Sequence, residues 1–211
     1  RSYNFGEELT PALSVNLGGR KLTENVDYSV TYTDNIEAGT ATATVKGIDQ
    51  NKGEVSKTFK ILPIDITTAE IALVKDSYGF TGDAVTADVE SITVTRNGVK
   101  KVLTDLAGFE ITCTDNVNVG TATVKIAAGE GQSYTGSTST SFRIVAASIE
   151  QAEVSVDSAV YTGSAITPVC RVVLGGKTLA EGVDYKVTVS GNVNVTDNAL
   201  VTIEGTGNYT G

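Results

Sequence analysis

Short runs in which apolar and polar residues alternate follow one another along most of this chain of 211 residues. One run places four apolar residues on the same side, namely Val26, Tyr28, Val30 and Tyr32. A second run does the same with Leu13, Val15 and Leu17. This period of two predicts antiparallel strands with one buried face and one face in water. We see no amphipathic helix of useful length, so the pattern predicts an all-β fold.

Glycine and asparagine pairs separate several of these runs. Gly18-Gly19, Asn97-Gly98 and Gly175-Gly176 each lie between two predicted strands. These residue types readily take the positive φ angles that two-residue hairpin turns require. We therefore predict a tight β-hairpin at each of the three pairs.

The pattern of strands and turns occurs three times. Residues 27–47 align with 108–129 and, more loosely, with 184–205. The segment KTFKI at 57–61 matches TSFRI at 140–144. Internal matches of this kind predict a tandem array in which every unit has the same architecture. Because each unit has about five short strands separated by turns, we predict small antiparallel β-sandwiches.

Three domains follow from this alignment, and we call them the first, second and third repeat. Their predicted bounds are 1–62, 63–146 and 147–211. The first repeat lacks the leading strand that AEIALV provides at 69–74 and AEVSV at 152–156. The third repeat lacks the closing strand seen in KTFKI and TSFRI. We therefore expect both outer repeats to be short of one strand, or to exchange a strand with a neighbour.

The joints between the predicted repeats are short and apolar. They read ILPIDITTAEI at 61–71 and IVAASIEQAEV at 144–154. A flexible linker would instead be rich in glycine and serine. We expect semi-rigid, strand-to-strand connections and an elongated rod in which each repeat contacts mainly its neighbours.

Composition narrows the classes of function. The chain has 16 Lys and Arg residues against 25 Asp and Glu residues, a net charge of -9. Such an acidic balance argues against a nucleic-acid partner and against an anionic membrane surface, since both need clustered cations. No apolar run approaches the roughly 18 residues of a membrane span, so we expect no membrane insertion. The abrupt ends at Arg1 and Gly211 lead us to expect a monomeric fragment of a longer array.

Candidate chemistry is sparse. The chain has no His, which removes the commonest acid–base group near neutral pH and the commonest transition-metal ligand. Cys113 and Cys170 align with apolar positions of other repeats, so we interpret them as core residues rather than as reactive thiols, metal ligands or a disulfide. Asp34-Asn35 and Asp115-Asn116 could supply oxygen ligands to Ca²⁺, but each turn offers a single carboxylate, and we interpret both as turn formers. We expect no catalytic residue, no cofactor, no metal site and no enzymatic activity.

Several motifs resemble a known class of repeat. The shared pattern reads YTG-x-x-ITP, V-x-LGGK-x-L, VDY-x-V-x-Y-x-DN and VGTATV, and it ends in GNYTG and F-x-I. It is similar to the tandem Ig-like repeats of large surface proteins from Gram-positive, mainly gut clostridial, bacteria. The third repeat fits this pattern best, whereas the second departs from it at Ala87 and in a longer hairpin region at 96–108. The resemblance implies an extracellular, cell-wall-attached array used for adhesion, ligand capture or spacing, and it implies no catalytic residue.

Two main functions remain open at this stage. The first is a binding or adhesion module that captures a host macromolecule, with host immunoglobulin as the named candidate and a glycan as the alternative ligand. The second is a structural spacer that holds another domain away from the cell wall. If a partner binds, we expect it where the repeats differ, on the basic hairpin of the second repeat. The candidate residues there are Arg96, Asn97, Lys100 and Lys101.

Overall fold

A computed structural model describes residues 1–196 and 198–211, and their regular secondary structure consists of strands, with no helix. The predicted all-β fold is confirmed at this level. The strands in the first part of the chain are β1 (Asn16–Leu17), β2 (Arg20–Lys21), β3 (Tyr28–Thr33), β4 (Gly39–Gly47), β5 (Glu54–Ile61), β6 (Ile64–Asp65), β7 (Glu70–Leu73), β8 (Ser77–Gly79), β9 (Val89–Arg96) and β10 (Val99–Leu103). Those in the second part are β11 (Phe109–Thr114), β12 (Gly120–Ala128), β13 (Tyr134–Thr135), β14 (Ser137–Val145), β15 (Ala147–Ser148), β16 (Glu153–Val156), β17 (Cys170–Leu174), β18 (Lys177–Thr178), β19 (Tyr185–Ser190), β20 (Leu200–Gly205) and β21 (Tyr209–Thr210).

The chain divides into two compact units, and all five points at which it passes from one unit to the other lie within the predicted second repeat. Unit 1 consists of Arg1–Leu73, Val89–Thr112 and Lys125–Thr140. Unit 2 consists of Val74–Asp88, Cys113–Val124 and Ser141–Gly211. Each unit thus combines one outer repeat with part of the second repeat. The three-repeat boundaries describe the sequence alignment, and they stay a prediction for the folding domains.

Small sheets build each unit. In unit 1 the strand orders are β3-β4-β5, β10-β9-β7, β1-β2 and β13-β6. In unit 2 they are β16-β17-β18, β19-β20 and β15-β21. A further sheet has the order β11-β12-β14-β8. Most neighbouring strands are antiparallel, but β13 with β6, β14 with β8 and β15 with β21 are parallel.

Each unit has its own apolar core. The core of unit 1 contains the buried residues Tyr3, Ala41, Ile61, Ile64, Ile66, Ala69, Ile92, Val94 and Ile126. The core of unit 2 contains the buried residues Ile149, Val172, Leu179, Tyr185 and Tyr209. Aliphatic and aromatic side chains of this kind are the main source of stability when they leave water on folding.

The predicted hairpin turns are confirmed. Both residues of each pair have positive φ angles, as in Gly18 (57°) and Gly19 (83°), and in Asn97 (48°) and Gly98 (80°). The same holds for the Gly175-Gly176 pair between β17 and β18. Left-handed backbone at both positions matches the twist of the flanking strands, which is why such pairs are found there.

Two residues of the predicted buried faces lie in water instead. Val26 is exposed because it belongs to the turn before β3, which begins only at Tyr28. Leu17 is exposed because it ends the two-residue strand β1, directly before the glycine turn. The alternation correctly placed Tyr28 on the inside, but it could not locate the residue at which β3 begins or the residue at which β1 ends.

Each repeat has an asparagine at the same aligned position, and the three asparagines form the same pair of hydrogen bonds. The Asn116 side-chain amide donates to the Val85 carbonyl at 2.7 Å, and the Val85 N–H donates to the Asn116 carbonyl at 2.8 Å. Asn35 with Leu9, and Asn192 with Ile166, form the same two bonds. The preceding residue has a positive φ in each case, namely Asp34, Asp115 and Gly191. These pairs are therefore turn-forming residues, as predicted from the sequence.

Replacing Asn35 with alanine should lower the free energy of unfolding by about 1–3 kcal/mol, since the Leu9 carbonyl loses its side-chain donor in a partly buried place. Urea unfolding followed by circular dichroism measures the change. The matched control is Asn16→Ala on the exposed strand β1, which should stay within about 0.5 kcal/mol of the wild type. Equal effects of the two substitutions would contradict the prediction.

Candidate functional site

The four predicted partner-binding residues lie on one hairpin of unit 1. Arg96 ends β9, Asn97 is in the turn, and Lys100 and Lys101 belong to β10. Consecutive residues of a strand point to opposite faces of a sheet. Lys100 and Lys101 therefore do not share a face, whereas Arg96, Asn97 and Lys101 line the same shallow depression.

Two of these cations already have partners within the chain. The Arg96 Nη1 atom donates to the Asn4 Oδ1 atom at 2.7 Å. The Lys100 Nζ atom lies 3.2 Å from the Glu70 Oε1 atom, in an exposed ion pair. Lys101 remains on an exposed part of β10, beside the shallow depression that Asn97 also lines. Partner binding by these residues stays a prediction.

Strand β10 forms the outer edge of its sheet. The strand order β10-β9-β7 leaves one side of β10 without a neighbouring strand among the described residues. Val99 and Val102 on this strand are exposed. An exposed edge with apolar side chains can accept a strand from a partner, because its backbone N–H and C=O groups have no ladder partner.

The two cysteines are free, and their surroundings differ. Cys170 is buried at the start of β17, whereas Cys113 is half-buried in β11. Burial raises the pKa of the Cys170 thiol, and the nearby carboxylates of Glu181 and Asp157 raise it further. A thiol in this position is a poor nucleophile, because the thiolate is the reactive form.

We expect a thiol reagent to label Cys113 faster than Cys170 in the folded protein, because Cys170 is both buried and held in its neutral form. Timed mass spectrometry on the single-cysteine variants Cys113→Ala and Cys170→Ala measures the two rates. In denaturant the two rates should become similar. Labelling of Cys170 that is as fast in the native protein as in urea would show that it is not a core residue.

The acidic groups that the structure describes serve turns and hydrogen bonds. Within residues 1–196 and 198–211, no group of three or more His, Cys, Asp or Glu side chains is close enough to hold a metal ion. Asp27 has a different role, because its Oδ2 atom accepts a hydrogen bond of 2.8 Å from the Thr23 N–H. This bond, with help from Arg20, lowers the pKa of the Asp27 carboxyl. Asp184 accepts the corresponding bond from the Ala180 N–H in the third repeat.

A contact that the sequence did not reveal joins the first and second repeats inside unit 1. The Ala38 N–H donates to the Ser133 Oγ atom at 2.8 Å, and the Ser133 hydroxyl donates to the Glu37 carboxylate. The rings of Tyr3 and Tyr134 pack edge to face, with centroids 5.5 Å apart. Burial is the main cause that raises the pKa of Tyr134 to about 12. We call this set of contacts the first joint.

The same contacts recur between the second and third repeats inside unit 2, and we call them the second joint. The Val119 N–H donates to the Asn208 Oδ1 atom at 2.8 Å, and the Asn208 amide donates to the Asn118 Oδ1 atom at 3.0 Å. The rings of Phe80 and Tyr209 again pack edge to face, with centroids 5.4 Å apart. In both joints the residue before a Tyr-Thr pair contacts a loop, and the tyrosine contacts an aromatic ring.

A parallel strand pair lies beside each joint, within the second repeat at the first joint and within the third repeat at the second joint. At the first joint Ile64 pairs with Tyr134 and Asp65 with Thr135. At the second joint Ala147 pairs with Tyr209 and Ser148 with Thr210. Because each pair lies inside one repeat, the semi-rigid, strand-to-strand joints between repeats stay a prediction. The sequence carried a signal, since Ser133 and Asn208 both precede Tyr-Thr-Gly, but only the structure reveals their partners.

Comparison with known proteins does not assign this chain to a family. The described residues contain no helix of the length and apolarity needed to span a membrane. No protein-family model, curated protein or solved structure matches this chain.

Proposed function

We propose that this chain is a structural segment of an extracellular bacterial surface protein, attached to the cell wall, in which Ig-like sandwiches follow one another in an elongated rod. Its role is to hold another domain away from the wall. The observation that supports this proposal best is the recurrence of one joint, built from residues at corresponding positions, at both places where consecutive repeats meet.

The physical reason is that each joint restricts rotation between repeats. A tether of glycine and serine leaves neighbouring domains free to turn. At each joint here, a side-chain hydrogen bond to a loop N–H and an aromatic contact connect the two repeats. Contacts of this kind restrict the orientation of one repeat on the next, as a spacer requires if it is to keep its length.

The charge and the side-chain chemistry agree with a non-catalytic role. The chain has no histidine, the Asp27 carboxylate accepts a turn N–H, and the Glu70 carboxylate forms an exposed ion pair. Enzyme sites bring nucleophiles, bases and oxyanion donors together around one concave pocket. The recurring polar contacts of this chain instead serve turns and joints.

Small-angle X-ray scattering tests the rod. A compact protein of this length would have a radius of gyration of about 17 Å, and the proposal requires a clearly larger value. The double variant Ser133→Ala, Asn208→Ala should broaden the distribution of interatomic distances, because both joints lose their side-chain bond to a loop. The control Ser14→Ala, Asn16→Ala changes the same residue types at exposed positions. A radius near that of a compact protein would exclude the rod.

A second candidate function is adhesion through capture of a host macromolecule, with immunoglobulin as the named protein and a glycan as the alternative ligand. The observation that favours it is the open edge of β10, with Val99 and Val102 exposed beside Lys101. If a longer array contains further repeats with such a hairpin, the linked sites raise the effective concentration.

Capture from serum or mucosal secretions separates the two candidates. For adhesion we expect a specific band, retained by immobilised immunoglobulin, that weakens in the variant Val99→Asp, Lys101→Glu. The control is Lys21→Glu, which changes an exposed charge on β2. A glycan array tests the sugar alternative. A protein that captures nothing at micromolar concentration while keeping its extended shape would favour the spacer.

A further inference from the structure

The β9–β10 hairpin of unit 1 is longer than the corresponding hairpins of the other repeats. In each repeat a leucine after the turn pairs with an apolar residue before it. These pairs are Leu22 with Val15, Leu103 with Ile92 and Leu179 with Val172. The chain between the partners spans 16–21, 93–102 and 173–178. Accordingly β10 has five residues, whereas β2 and β18 have two each.

Two residues of β10 direct both of their backbone polar groups away from β9. In a hairpin with a two-residue turn the pair beside the turn is hydrogen-bonded, and bonded pairs then alternate along the strands. Val99, Lys101 and Leu103 therefore bond to β9. The N–H and C=O groups of Lys100 and Val102 point outward, and no strand in the described part of the chain pairs with them.

The side chains along this edge make it cationic in an otherwise acidic chain. The strand reads VKKVL, with two lysines and no acidic residue, whereas the whole chain has a net charge of -9. Lys100 is paired with Glu70, but Lys101 forms no ion pair with residues 1–196 or 198–211. Arg96 and Glu7 line the depression beside Lys101, and their opposite charges offset each other. The charge of Lys101 therefore remains for a partner.

This charge disfavours a second copy of the same strand as the partner. Antiparallel pairing of two β10 strands over all five residues places Lys101 opposite Lys101 and Lys100 opposite Val102. The Lys101 pair is then a non-hydrogen-bonded pair, in which opposite side chains lie closest together. Like charges directly opposite each other are destabilising. An acidic residue at the same place is attracted instead.

We propose that the outer edge of β10 is a strand-addition site for an extended acidic segment of a partner protein. The proposal rests on the second candidate function, adhesion, and adds the chemistry of the ligand. The ligand strand runs antiparallel to β10 and bonds to the backbone of Lys100 and Val102. It places a carboxylate opposite Lys101, with apolar side chains two residues away on either side, opposite Val99 and Leu103.

A labelled peptide with blocked ends and the sequence TVVETVT tests the site by fluorescence anisotropy against the whole 211-residue protein. Its glutamate lies opposite Lys101 when its two outer valines lie opposite Val99 and Leu103. We expect saturable binding, and the control peptide TVVKTVT should bind at least about fivefold more weakly, because attraction is replaced by repulsion. Equal binding of the two peptides, or no saturation by TVVETVT up to about 1 mM, would overturn the proposal.

Hydrogen exchange locates the bound peptide on the protein. The amides of Lys100 and Val102 should exchange rapidly in the free protein and slowly in the presence of TVVETVT, because only the ligand supplies their acceptors. The Lys101 amide bonds to β9 and should be protected in both samples, which provides an internal control. Unchanged exchange at Lys100 and Val102 in the presence of saturating peptide would overturn the proposal.

Two protein variants test the backbone and the charge separately. Val102→Pro removes an outward N–H and leaves the bonds of Lys101 to β9, so peptide binding should weaken more than about tenfold. The control Lys21→Pro changes the edge strand of the first hairpin and should bind as the wild type does. Lys101→Glu should reverse the preference, so that TVVKTVT binds more tightly than TVVETVT. A Lys101→Glu protein that still prefers TVVETVT would overturn the proposal.

Capture from serum or mucosal secretions distinguishes this site from adhesion as a whole. If the site serves adhesion, the wild-type protein captures a partner and Val102→Pro does not. Capture that Val102→Pro retains would leave adhesion standing and overturn β10 as its site. Peptide binding with the expected preference, together with no capture by the wild type, would support the strand-addition site and contradict adhesion.

Discussion

Replacing Tyr209 with alanine is expected to lower the free energy of unfolding by about 3–5 kcal/mol, the range for truncating a large buried aromatic residue. The Tyr209 side chain is only 5% exposed and belongs to the core of unit 2. Its ring packs edge to face on Phe80, and the Lys177 ammonium lies 5.8 Å from its centroid. The substitution removes core packing, an aromatic pair and a cation–π contact from the second joint.

Two controls separate these contributions in urea unfolding. Tyr209→Phe keeps the ring and should lose about 1 kcal/mol at most, the usual net value of one hydrogen bond. Tyr161→Ala truncates the same residue type at a mainly exposed position of unit 2, and it should change the stability by less than about 0.5 kcal/mol. If Tyr209→Ala were as mild as Tyr161→Ala, the second joint would not be a stabilising contact.

Replacing Phe142 with alanine is expected to cost a similar amount, about 3–5 kcal/mol. Phe142 is only 1% exposed, and its ring packs edge to face on Tyr78 with centroids 5.5 Å apart. It holds the closing strand β14, which pairs with β8 through Arg143 and the two residues that follow. Its loss leaves a cavity that the neighbouring strands can fill only in part.

The first repeat provides the matched comparison. Phe59 occupies the aligned position in β5, but it is only partly buried, so Phe59→Ala should cost clearly less than Phe142→Ala. Ile144→Val, which removes one methylene from the neighbouring core position, should cost about 0.5–1.5 kcal/mol. Urea unfolding of the three variants gives the order. A smaller loss for Phe142→Ala than for Phe59→Ala would contradict the burial seen in the structure.

The position of the candidate site along the chain was predictable from the sequence, but the contacts of its side chains were not. The hairpin with Arg96, Asn97, Lys100 and Lys101 lies where the sequence placed it. The partners that occupy Arg96 and Lys100 were not predictable, since Asn4 is 92 residues from Arg96 and Glu70 is 30 from Lys100. Side-chain pairs so far apart in sequence depend on how whole strands pack.

The burial of the two cysteines also depends on strand packing that the sequence does not reveal. Alternation placed Cys113 and Cys170 on inward faces, and both are shielded, but only Cys170 is fully buried. Cys170 pairs with Val156 of β16 and lies beside the buried Tyr185, whose hydroxyl donates to the Cys170 carbonyl. Cys113 lies in β11, at the edge of its sheet, so equal sequence patterns give unequal burial.

The sequence by itself determined the strand character, the hairpin turns and the turn-forming asparagines. These features depend on backbone angles and on a period of two, which are local properties of a few neighbouring residues. Gly18-Gly19 and Asn116 therefore behave as their sequence context predicts.

Only the tertiary structure decided how the repeats meet and which apolar residues are covered. The bonds of Ser133 to Ala38 and of Asn208 to Val119 join residues 95 and 89 positions apart. Tyr28 pairs with Gly47 as Tyr185 pairs with Gly205, so Ala41 of β4 aligns with Ala199, directly before β20, yet Ala41 is buried and Ala199 is exposed. The physical reason is that burial is a property of the neighbouring strand, and β5 covers Ala41 while no described strand covers Ala199.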